Sequence, residues 1–336
     1  MQDSTGNHNY TEDYPTFSTI FNFRKVTPEL PVYRSAALDH ASDQDYQTYL
    51  SSTGIRYRVD LRSPLEKFRS EHDKPLHTPV KGTFMAKRLS TPEVDISNDS
   101  LAKSTAKQLR FSDLLTTTRK KNVEKEPLVA KQTVIKSGHR VETFNINFLN
   151  ARYRDGVIWD RCSRSEKLKM LSYMLTFRFN MLIKFVGEKI LARGGLEGSY
   201  YDFIDFSSNS ICSALQIITE CLEKNDGAVA WSCFAGKDRT GLVTAFVKYI
   251  IGDEMEDILT DYAKSEEGLS PIMPRMVEEF AEQGLPDTFA KSPRIAMEQA
   301  LAYVNKKYGS IDGYLDTIGF DKSWRDRLNA VRNNAA

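Results

Sequence analysis

Alternating hydrophobic and polar positions predict strands in the first half of the chain. From Ile55 to Leu61 every second residue is apolar, which is typical of a strand with one buried face. A similar alternation over residues 139–148 predicts a further strand, and a short strand is predicted over residues 31–35. The stretch over residues 43–51 predicts a helix that ends before Gly54.

Helical spacing of apolar residues dominates the second half. It extends over residues 165–192, after which Gly194-Gly195 is predicted to end the helix. It recurs over residues 208–224. A short apolar strand is predicted at residues 228–231, and an apolar helix continues from Leu242 to Ile251. For residues 165–192 the pattern favours a core helix over a surface that covers a pocket or touches lipid.

The same pattern divides the chain. We predict a polar tail at residues 1–18 and a single domain over residues 19–336, interrupted by an insertion at about residues 67–138. This insertion is rich in Lys, Ser and Thr and lacks a hydrophobic period, so it is predicted to be partly disordered. Between Lys67 and Arg140 there are 16 Lys and Arg against 8 Asp and Glu. Either it recruits an anionic membrane or a partner, or it is a solubilising loop.

Composition excludes several classes of protein. Of 336 residues, 40% are hydrophobic and 27% are charged, as in ordinary globular proteins. No apolar run is continuous enough to cross a bilayer, and the N-terminal residues lack the apolar segment of a secretory signal, so a cytoplasmic protein is expected. The formal net charge of +1 gives no field that favours nucleic acid. The cysteines and histidines show no disulfide framework and no metal-ligand spacing.

The segment Ser232–Gly241 carries the strongest chemical signal. A predicted strand, a glycine-containing loop and a helix follow one another there. In this order the backbone N–H groups of the loop and the positive end of the helix dipole point at one place. Cys233 and Arg239 stand in the spacing Cys-x5-Arg (CX5R), which lets the loop curl around a tetrahedral oxyanion. We expect Cys233 to be a thiolate nucleophile, Arg239 to grip two oxygens and Thr240 to donate to the sulfur. Such chemistry needs no metal or other cofactor.

The sequence Cys233-Phe-Ala-Gly-Lys-Asp-Arg-Thr-Gly resembles the signature of the atypical cysteine-dependent tyrosine phosphatases, the mycobacterial tyrosine phosphatase B-like family. Four further blocks agree in order: Asn22-Phe-Arg, Tyr33-Arg-Ser-Ala-Ala-Leu, Asp60-Leu-Arg-Ser and Tyr308-Gly-Ser-Ile-Asp-Gly-Tyr-Leu. The resemblance implies an α/β fold with a parallel-rich sheet flanked by helices, and a helical lid at residues 270–292. It also implies a phosphocysteine mechanism on phosphotyrosine, sometimes phosphoserine or phosphothreonine, proteins and on phosphoinositides.

The resemblance also implies roles for individual residues. Asp238 takes the role of general acid, with Asp60 as the second candidate because Asp60 closes a strand that points at the same sheet edge. Asp60 could equally cap a helix or pair with an arginine, and Arg62 would order the site through that network. The remaining loop residues would line the bound phosphate: Phe234, Ala235, Gly236 and Lys237. Lys237 would hold a second phosphate, or else be a solvated lysine.

One position keeps a different function open. Ser232 stands where the family usually has a histidine before the nucleophile. Activation of the thiolate would then be weaker, and the alternative is a pseudophosphatase that binds phosphorylated ligands without turnover. Binding without hydrolysis would distinguish the two.

Overall fold

Six strands form one sheet in the part of the chain that the computed structural model describes, residues 16–72, 129–136 and 139–335. Their order in the sheet is β1-β2-β6-β3-β5-β4. The strands are β1 (Arg24–Lys25), β2 (Val32–Ser35), β3 (Ile55–Asp60), β4 (Val129–Lys136), β5 (His139–Ile146) and β6 (Ala228–Ser232). The inner strands β2, β6, β3 and β5 run parallel, while β1 and β4 pair antiparallel at the two edges.

Strand β6 occupies the centre of the sheet. All five of its residues are buried, as its continuous apolar run predicts for a strand covered on both faces. Its pairing with β2 and β3 sets Ser35, Ser232 and Asp60 level with one another at the carboxyl ends of the three strands. The turn that follows β6 therefore opens at the same edge as the ends of its neighbours, where ligands bind in parallel sheets.

Helices flank this sheet, which confirms the predicted α/β class. They are α1 (Asp43–Thr53), α2 (Pro64–His72), α3 (Ala151–Tyr153), α4 (Arg164–Leu175), α5 (Phe179–Val186), α6 (Gly195–Phe206), α7 (Ser208–Glu223), α8 (Asp238–Ile250), α9 (Met255–Leu269), α10 (Met273–Glu282), α11 (Arg294–Tyr308), α12 (Ile311–Thr317) and α13 (Lys322–Ala335). Short π-helical or 3₁₀ turns lie at Arg154–Trp159, Gly187–Leu191, Ala192–Gly194, Ser270–Ile272 and Asp287–Ala290.

The largest hydrophobic core lies between the sheet and the long helices of the second half. Apolar side chains of α7 and α8 meet there with strand residues such as Val59 and Trp231. A smaller core surrounds Tyr49 of α1 on the other side of the sheet. Trp231 also donates through Nε1 to the hydroxyl of Thr244 at 2.9 Å, which fixes β6 to α8. The strand and helix that flank the Cys-x5-Arg loop are therefore held rigidly together.

Residues 165–192 differ from the single long helix that their spacing predicts. Helix α4 ends at Leu175, the chain reverses, and α5 begins at Phe179. Phe177, inside this reversal, has a positive φ of 56°, which a continuous right-handed helix does not allow. The two helices therefore form a hairpin, with Met170, Met174 and Phe185 buried and other apolar residues exposed.

The ends of the predicted basic insertion are structured. Helix α2 extends into it at one end, and β4, near the other end, pairs with β5 along its whole length. Residues 73–128, like residues 1–15 of the predicted tail, lie outside the described residues. Within the described ranges, no helix combines the length and the apolar character needed to cross a membrane.

Candidate active site

Cys233 lies at the centre of the sheet edge, directly after β6. Its side chain is buried, and the loop Cys233–Lys237 leads without interruption into α8, which begins at Asp238. Helix α8 starts four residues earlier than the apolar pattern predicts, so Arg239 and Thr240 lie in its first turn. The positive end of the helix dipole therefore points at the loop that carries the thiol.

Three neighbours hold the carbonyl groups of this loop. The amide group of Asn22 donates to the Gly236 carbonyl at 2.9 Å, and Arg34 donates to the same oxygen at 2.7 Å. The backbone N–H of Ala37 donates to the Phe234 carbonyl at 3.0 Å. These carbonyl oxygens already accept hydrogen bonds from neighbouring elements. They therefore need no donor from a ligand beside the thiol.

The backbone N–H groups of the loop differ from its carbonyl groups in their hydrogen bonding. Between Phe234 and Asp238, none of the backbone N–H groups donates to an acceptor in the part of the chain that the structure describes. Ala235, in the middle of this run, is buried, and its carbonyl accepts from Asn22 at 3.1 Å. Buried N–H groups without acceptors are costly, so the arrangement indicates a cradle for an anion with several oxygens.

Gly236 is required by the curvature of the loop. Its φ is +66°, and a Cβ atom built there would lie 2.1 Å from the carbonyl oxygen of Ser35. No other amino acid fits without displacing the end of β2. The close approach brings the loop against the neighbouring strand, within reach of Arg34.

A buried ionic cluster supports the arginine that holds the loop. Asp261 of α9 accepts from Arg34 at 2.6 Å and from Arg24 at 2.7 Å, and Arg24 also donates to the side chain of Asn22. Burial alone would raise the pKa of Asp261, but the two guanidinium groups outweigh it and hold this pKa well below the ordinary value. Asp261 therefore stays ionised and fixes both groups that bind the loop carbonyls.

Arg239 is oriented by a carboxylate outside the motif. Its guanidinium donates to both oxygens of Glu66 in α2, at 2.9 and 2.6 Å. Burial alone would raise the pKa of Glu66, but Arg239 and hydrogen bonds from Ser63 lower it. This two-point pair fixes the plane of the guanidinium, and a fixed plane suits two-point binding of an oxyanion.

Asp238 lies beside two buried tyrosines. The hydroxyl of Tyr200 is 2.9 Å from Oδ1 of Asp238 and 2.8 Å from the hydroxyl of Tyr262. Since a phenol has one proton, Tyr200 donates to Asp238 while it accepts from Tyr262. Burial, reinforced by the charge of Asp238, raises the pKa of both tyrosines well above the ordinary value, so both stay neutral. The side chain of Asp238 keeps 25% exposure and can meet a substrate.

Lys237 is fully buried and differs from the solvated lysine considered above. Its Nζ donates to the Lys291 carbonyl at 2.6 Å and pairs with Asp238 at 2.9 Å. Its charge therefore lies under the loop and beside the carboxyl group of Asp238. The contact with Lys291 ties the loop to the end of segment 270–292.

Asp60 is held in an ionic network of its own. Arg62 donates to both of its oxygens, at 3.0 and 2.9 Å, and also pairs with Asp39. Lys67 lies 3.3 Å from the same carboxylate. Burial alone would raise the pKa of Asp60, but Arg62 and Lys67 outweigh it and hold this pKa well below the ordinary value. Asp60 lies level with Ser232, as the strand pattern predicts, but its oxygens are occupied.

Two further residues lie around the thiol loop. The hydroxyl of Thr240 is fully buried and has no hydrogen-bond partner among the described residues. Phe234 is partly exposed, and its ring centre is 6.4 Å from that of Phe280 in α10. Ile272 and Met276 of the predicted lid pack in one cluster with Ala235. Segment 270–292 therefore contacts the loop directly.

Several of these groups are not apparent from the motif. Glu66 had one available signal, because Ser63-Pro-Leu-Glu66 has the spacing of a helix capping box, and both reciprocal hydrogen bonds are present. That signal predicts a cap and not a partner for Arg239. Tyr200, Tyr262 and Asp261 lie within helical patterns, and no spacing connects them to the loop. Within the described ranges, no group of three or more His, Cys, Asp or Glu residues is placed to hold a metal ion.

The sequence is similar to those of known proteins. A family model described as the tyrosine phosphatase family matches residues 19–172 and 178–331. The chain is similar to the triple specificity protein phosphatase PtpB of Mycobacterium tuberculosis, with 30% identity over 115 residues, which are 30% of this chain and 41% of that protein. It is also similar to a tyrosine-protein phosphatase of Nostoc commune, with 31% identity over 114 residues, 31% of this chain and 38% of that protein. The similarity thus spans less than half the length of these curated relatives.

Proposed function

Because the chain belongs to the tyrosine phosphatase family, we propose that it hydrolyses phosphate monoesters through a phosphocysteine intermediate on Cys233. The observation that carries the proposal is the loop Phe234–Asp238, whose N–H groups have no acceptor among the described residues while its carbonyls are engaged elsewhere. A phosphoryl group above the Cys233 sulfur would accept from these donors and from Arg239. The donors are fixed in advance, so they stabilise the charge of the transition state without reorganisation.

In the first step, the thiolate of Cys233 attacks phosphorus. The S–P bond forms as the bond from phosphorus to the leaving oxygen breaks. Asp238 donates its proton to that oxygen, which leaves as an alcohol or phenol. Arg239, held by Glu66, and the loop N–H groups bind the three equatorial oxygens.

Asp238 is a better general acid than Asp60 in this arrangement. Asp60 is buried, both its oxygens accept from Arg62, and Arg62 and Lys67 hold its pKa well below the ordinary value. Asp238 lies in the loop itself, keeps partial exposure and is oriented by Tyr200. Asp60 and Arg62 would then act indirectly, by fixing the strand end next to Ser232.

In the second step, water attacks the phosphocysteine. Asp238, now a carboxylate, accepts a proton from the water, and the P–S bond breaks to release inorganic phosphate. The departing thiolate needs a donor, and the buried hydroxyl of Thr240 is free to supply it. The step regenerates both groups and uses no cofactor.

For substrates, we propose phosphotyrosine proteins, with phosphoserine or phosphothreonine proteins and phosphoinositides as further candidates. The partly exposed Phe234 offers an aromatic wall for a phosphotyrosine ring. Lys237 is poorly placed to hold a second phosphate, because its Nζ is fully buried and contacts the Lys291 carbonyl and Asp238. A phosphoinositide would have to find its additional cations elsewhere, for example in the basic stretch at 67–138.

The test is phosphate release in EDTA from a phosphotyrosine peptide and from a panel of phosphoinositides. Cys233→Ser should abolish turnover, while Cys212→Ser, a buried cysteine in the main core, serves as the matched control and should retain it. Asp238→Asn should lower kcat by about 10²–10⁴-fold, and Asp60→Asn should not reproduce that loss. If the substrates bind without release of phosphate, the protein is a pseudophosphatase and the proposal is wrong.

A further inference from the structure

The hairpin of α4 and α5 ends in an exposed apolar tip. We call residues 175–181 the hairpin tip; all seven are exposed. Its large apolar side chains are Leu175, Phe177, Phe179 and Met181, with exposures of 59%, 70%, 42% and 46%. The two phenylalanine rings lie edge to face with centres 6.2 Å apart, so they form one apolar surface. Clustered apolar exposure of this kind indicates a binding surface.

The inner side of the hairpin is packed, while Leu168 on the outer side of α4 is 69% exposed. Met170 and Phe185 form a small buried cluster with Cys162 and Ile190 at its inner side. Lys169 lies 5.0 Å from the centre of the Phe185 ring and so covers this cluster with its charge. Because this inner side is packed, the exposure of the tip is not a sign that the hairpin is loosely folded.

The charge around the tip has one sign. No acidic residue occurs from position 167 to position 187, whereas Lys167, Lys169, Arg178 and Lys184 all fall within that range. The acidic residue just before it, Glu166, is engaged by Arg193. Lys184 lies 3.8 Å from Glu188, whereas Lys167, Lys169 and Arg178 have no acidic partner among the described residues. An apolar surface beside such positive charge is complementary to an anionic lipid surface.

The backbone of the tip is costly for an aromatic residue. Phe177 has a φ of 56°, in the left-handed region that favours Gly and Asn. A turn with only a structural role would be more stable with one of those residues. The presence of an exposed phenylalanine there indicates that its ring has a use outside the fold.

The base of the hairpin adjoins the candidate active site. A Cβ atom on Gly187 would lie 1.9 Å from the Gln283 carbonyl, so the hairpin and the end of α10 are in backbone contact. Helix α10 carries Phe280, which packs beside Phe234 of the thiol loop. A surface bound by the tip would therefore be anchored to the element that contacts the catalytic loop.

We propose that the hairpin tip docks the protein onto an anionic lipid bilayer. The phenylalanine, leucine and methionine side chains enter the boundary between headgroups and acyl chains, and the surrounding Lys and Arg side chains bind lipid phosphates. A bilayer suits this surface better than a protein partner, because seven residues at a turn offer far less than the roughly 800 Å² per partner of a stable interface. The docking does not depend on the chemistry at Cys233.

The test is sedimentation of the full chain with vesicles of phosphatidylcholine, alone or with added phosphatidylserine. Binding is expected only with phosphatidylserine, and it should weaken as salt is raised. The double variant Phe177→Asn, Phe179→Ser should bind at least about tenfold more weakly. Asparagine tolerates the left-handed backbone, so this variant should fold. Neutralising Lys169 and Arg178 to Gln should weaken binding about fivefold for each charge removed.

Matched controls separate the tip from other surfaces and from catalysis. Met255→Gln and Ile295→Ser remove exposed apolar side chains elsewhere and should leave vesicle binding unchanged. Cys233→Ser should bind vesicles like the parent chain, and the tip variants should hydrolyse a soluble phosphotyrosine peptide at the parent rate. The proposal is overturned if the tip variants still bind anionic vesicles, which would assign the contact to the basic stretch at 67–138. It also fails if the parent chain binds no vesicles, or if the tip variants instead abolish self-association.

Discussion

Tyr200 joins the carboxyl group of Asp238 to the interior of the molecule. Its hydroxyl donates to that carboxyl and is itself fixed by Tyr262. In Tyr200→Phe the carboxyl group loses this orienting bond, and we expect kcat to fall about tenfold with a phenyl phosphate substrate, whose leaving oxygen needs a proton. With p-nitrophenyl phosphate, which has a much better leaving group, the same variant should be nearly as fast as the parent.

The comparison of the two substrates is the essential measurement. A general loss of structure would slow both substrates equally, and such a result would contradict the positioning role. Tyr303→Phe removes a hydroxyl that contacts Asp205 away from the site, and it should change neither rate. Asp238→Asn should show the same substrate dependence as Tyr200→Phe, with a larger effect.

Glu66 determines the orientation of Arg239. In Glu66→Gln the two-point ion pair is lost, and we expect kcat/KM to fall by about tenfold to a hundredfold, with weaker inhibition by inorganic phosphate. Glu142→Gln on β5 removes a more exposed ion pair with Lys131 of β4 and should leave both quantities unchanged. Equal phosphate inhibition in Glu66→Gln and the parent would show that Arg239 needs no such support.

At the residue scale, the sequence revealed the loop but not the groups that hold it. Asn22 and Arg34 belong to recognisable blocks, so their proximity to the loop could be anticipated from a resemblance. The contact of Glu66 with Arg239 depends on how α2 leaves β3, and that angle is set by tertiary packing. In the sequence, Tyr200 and Tyr262 cannot be told from ordinary core residues, because one tyrosine side chain can both pack in a core and form a hydrogen bond.

At the scale of elements, the turn between β6 and α8 is fixed by one glycine. Gly236 and Gly54 have nearly the same backbone angle, φ +66° and +65°, but a Cβ on Gly54 would meet nothing within 4 Å. Gly54→Ala should therefore lower the free energy of unfolding by only about 1–2 kcal/mol. Gly236→Ala adds an overlap with Ser35 and should cost about 3 kcal/mol or more, with loss of activity.

Denaturant unfolding and phosphate release measure this pair of variants side by side. If Gly236→Ala were no more destabilising than Gly54→Ala and stayed active, the close approach of the loop to β2 would be unimportant. The difference between the two variants isolates the overlap, because the backbone strain is common to both.

Most elements follow from local pattern, and the exceptions have physical causes. Strands β2, β3, β5 and β6 and helix α7 agree with their apolar periods to within a few residues. Helix α8 starts before its apolar pattern because its first turn consists of polar motif residues. The hairpin has the apolar spacing of one helix because that spacing continues through the reversal at Phe177. Strand β4 lies in a stretch whose composition resembles a linker, and it is a strand because it pairs with β5.

At the scale of the whole molecule, buried ion pairs make the free energy of unfolding depend on pH in the acid range. The pKa values of Asp60, Glu66 and Asp261 are below ordinary, so below about pH 4 the unfolded chain binds protons that the folded chain does not. The free energy of unfolding should fall there by about 1.4 kcal/mol per pH unit for each such carboxyl group. Asp202, whose pKa is raised by burial, opposes this trend.

Urea unfolding across a pH series measures the effect. Asp261→Asn should be less stable at neutral pH, because Arg24 and Arg34 lose their counter-ion, and its stability should fall less steeply in acid. A slope equal to that of the parent would contradict the assignment of Asp261 to this network.

The strand at the centre of the sheet is also the last to be synthesised. Asn22 and Gly236, which bond across the loop, are 214 positions apart. At roughly 5–20 residues per second, β2 and β3 wait on the order of ten seconds for the strand that separates them. During that time each has an open edge that another chain can pair with. A nascent or truncated chain that ends before Ala228 should therefore aggregate or depend on a chaperone, and it lacks Cys233 and the loop that follows it.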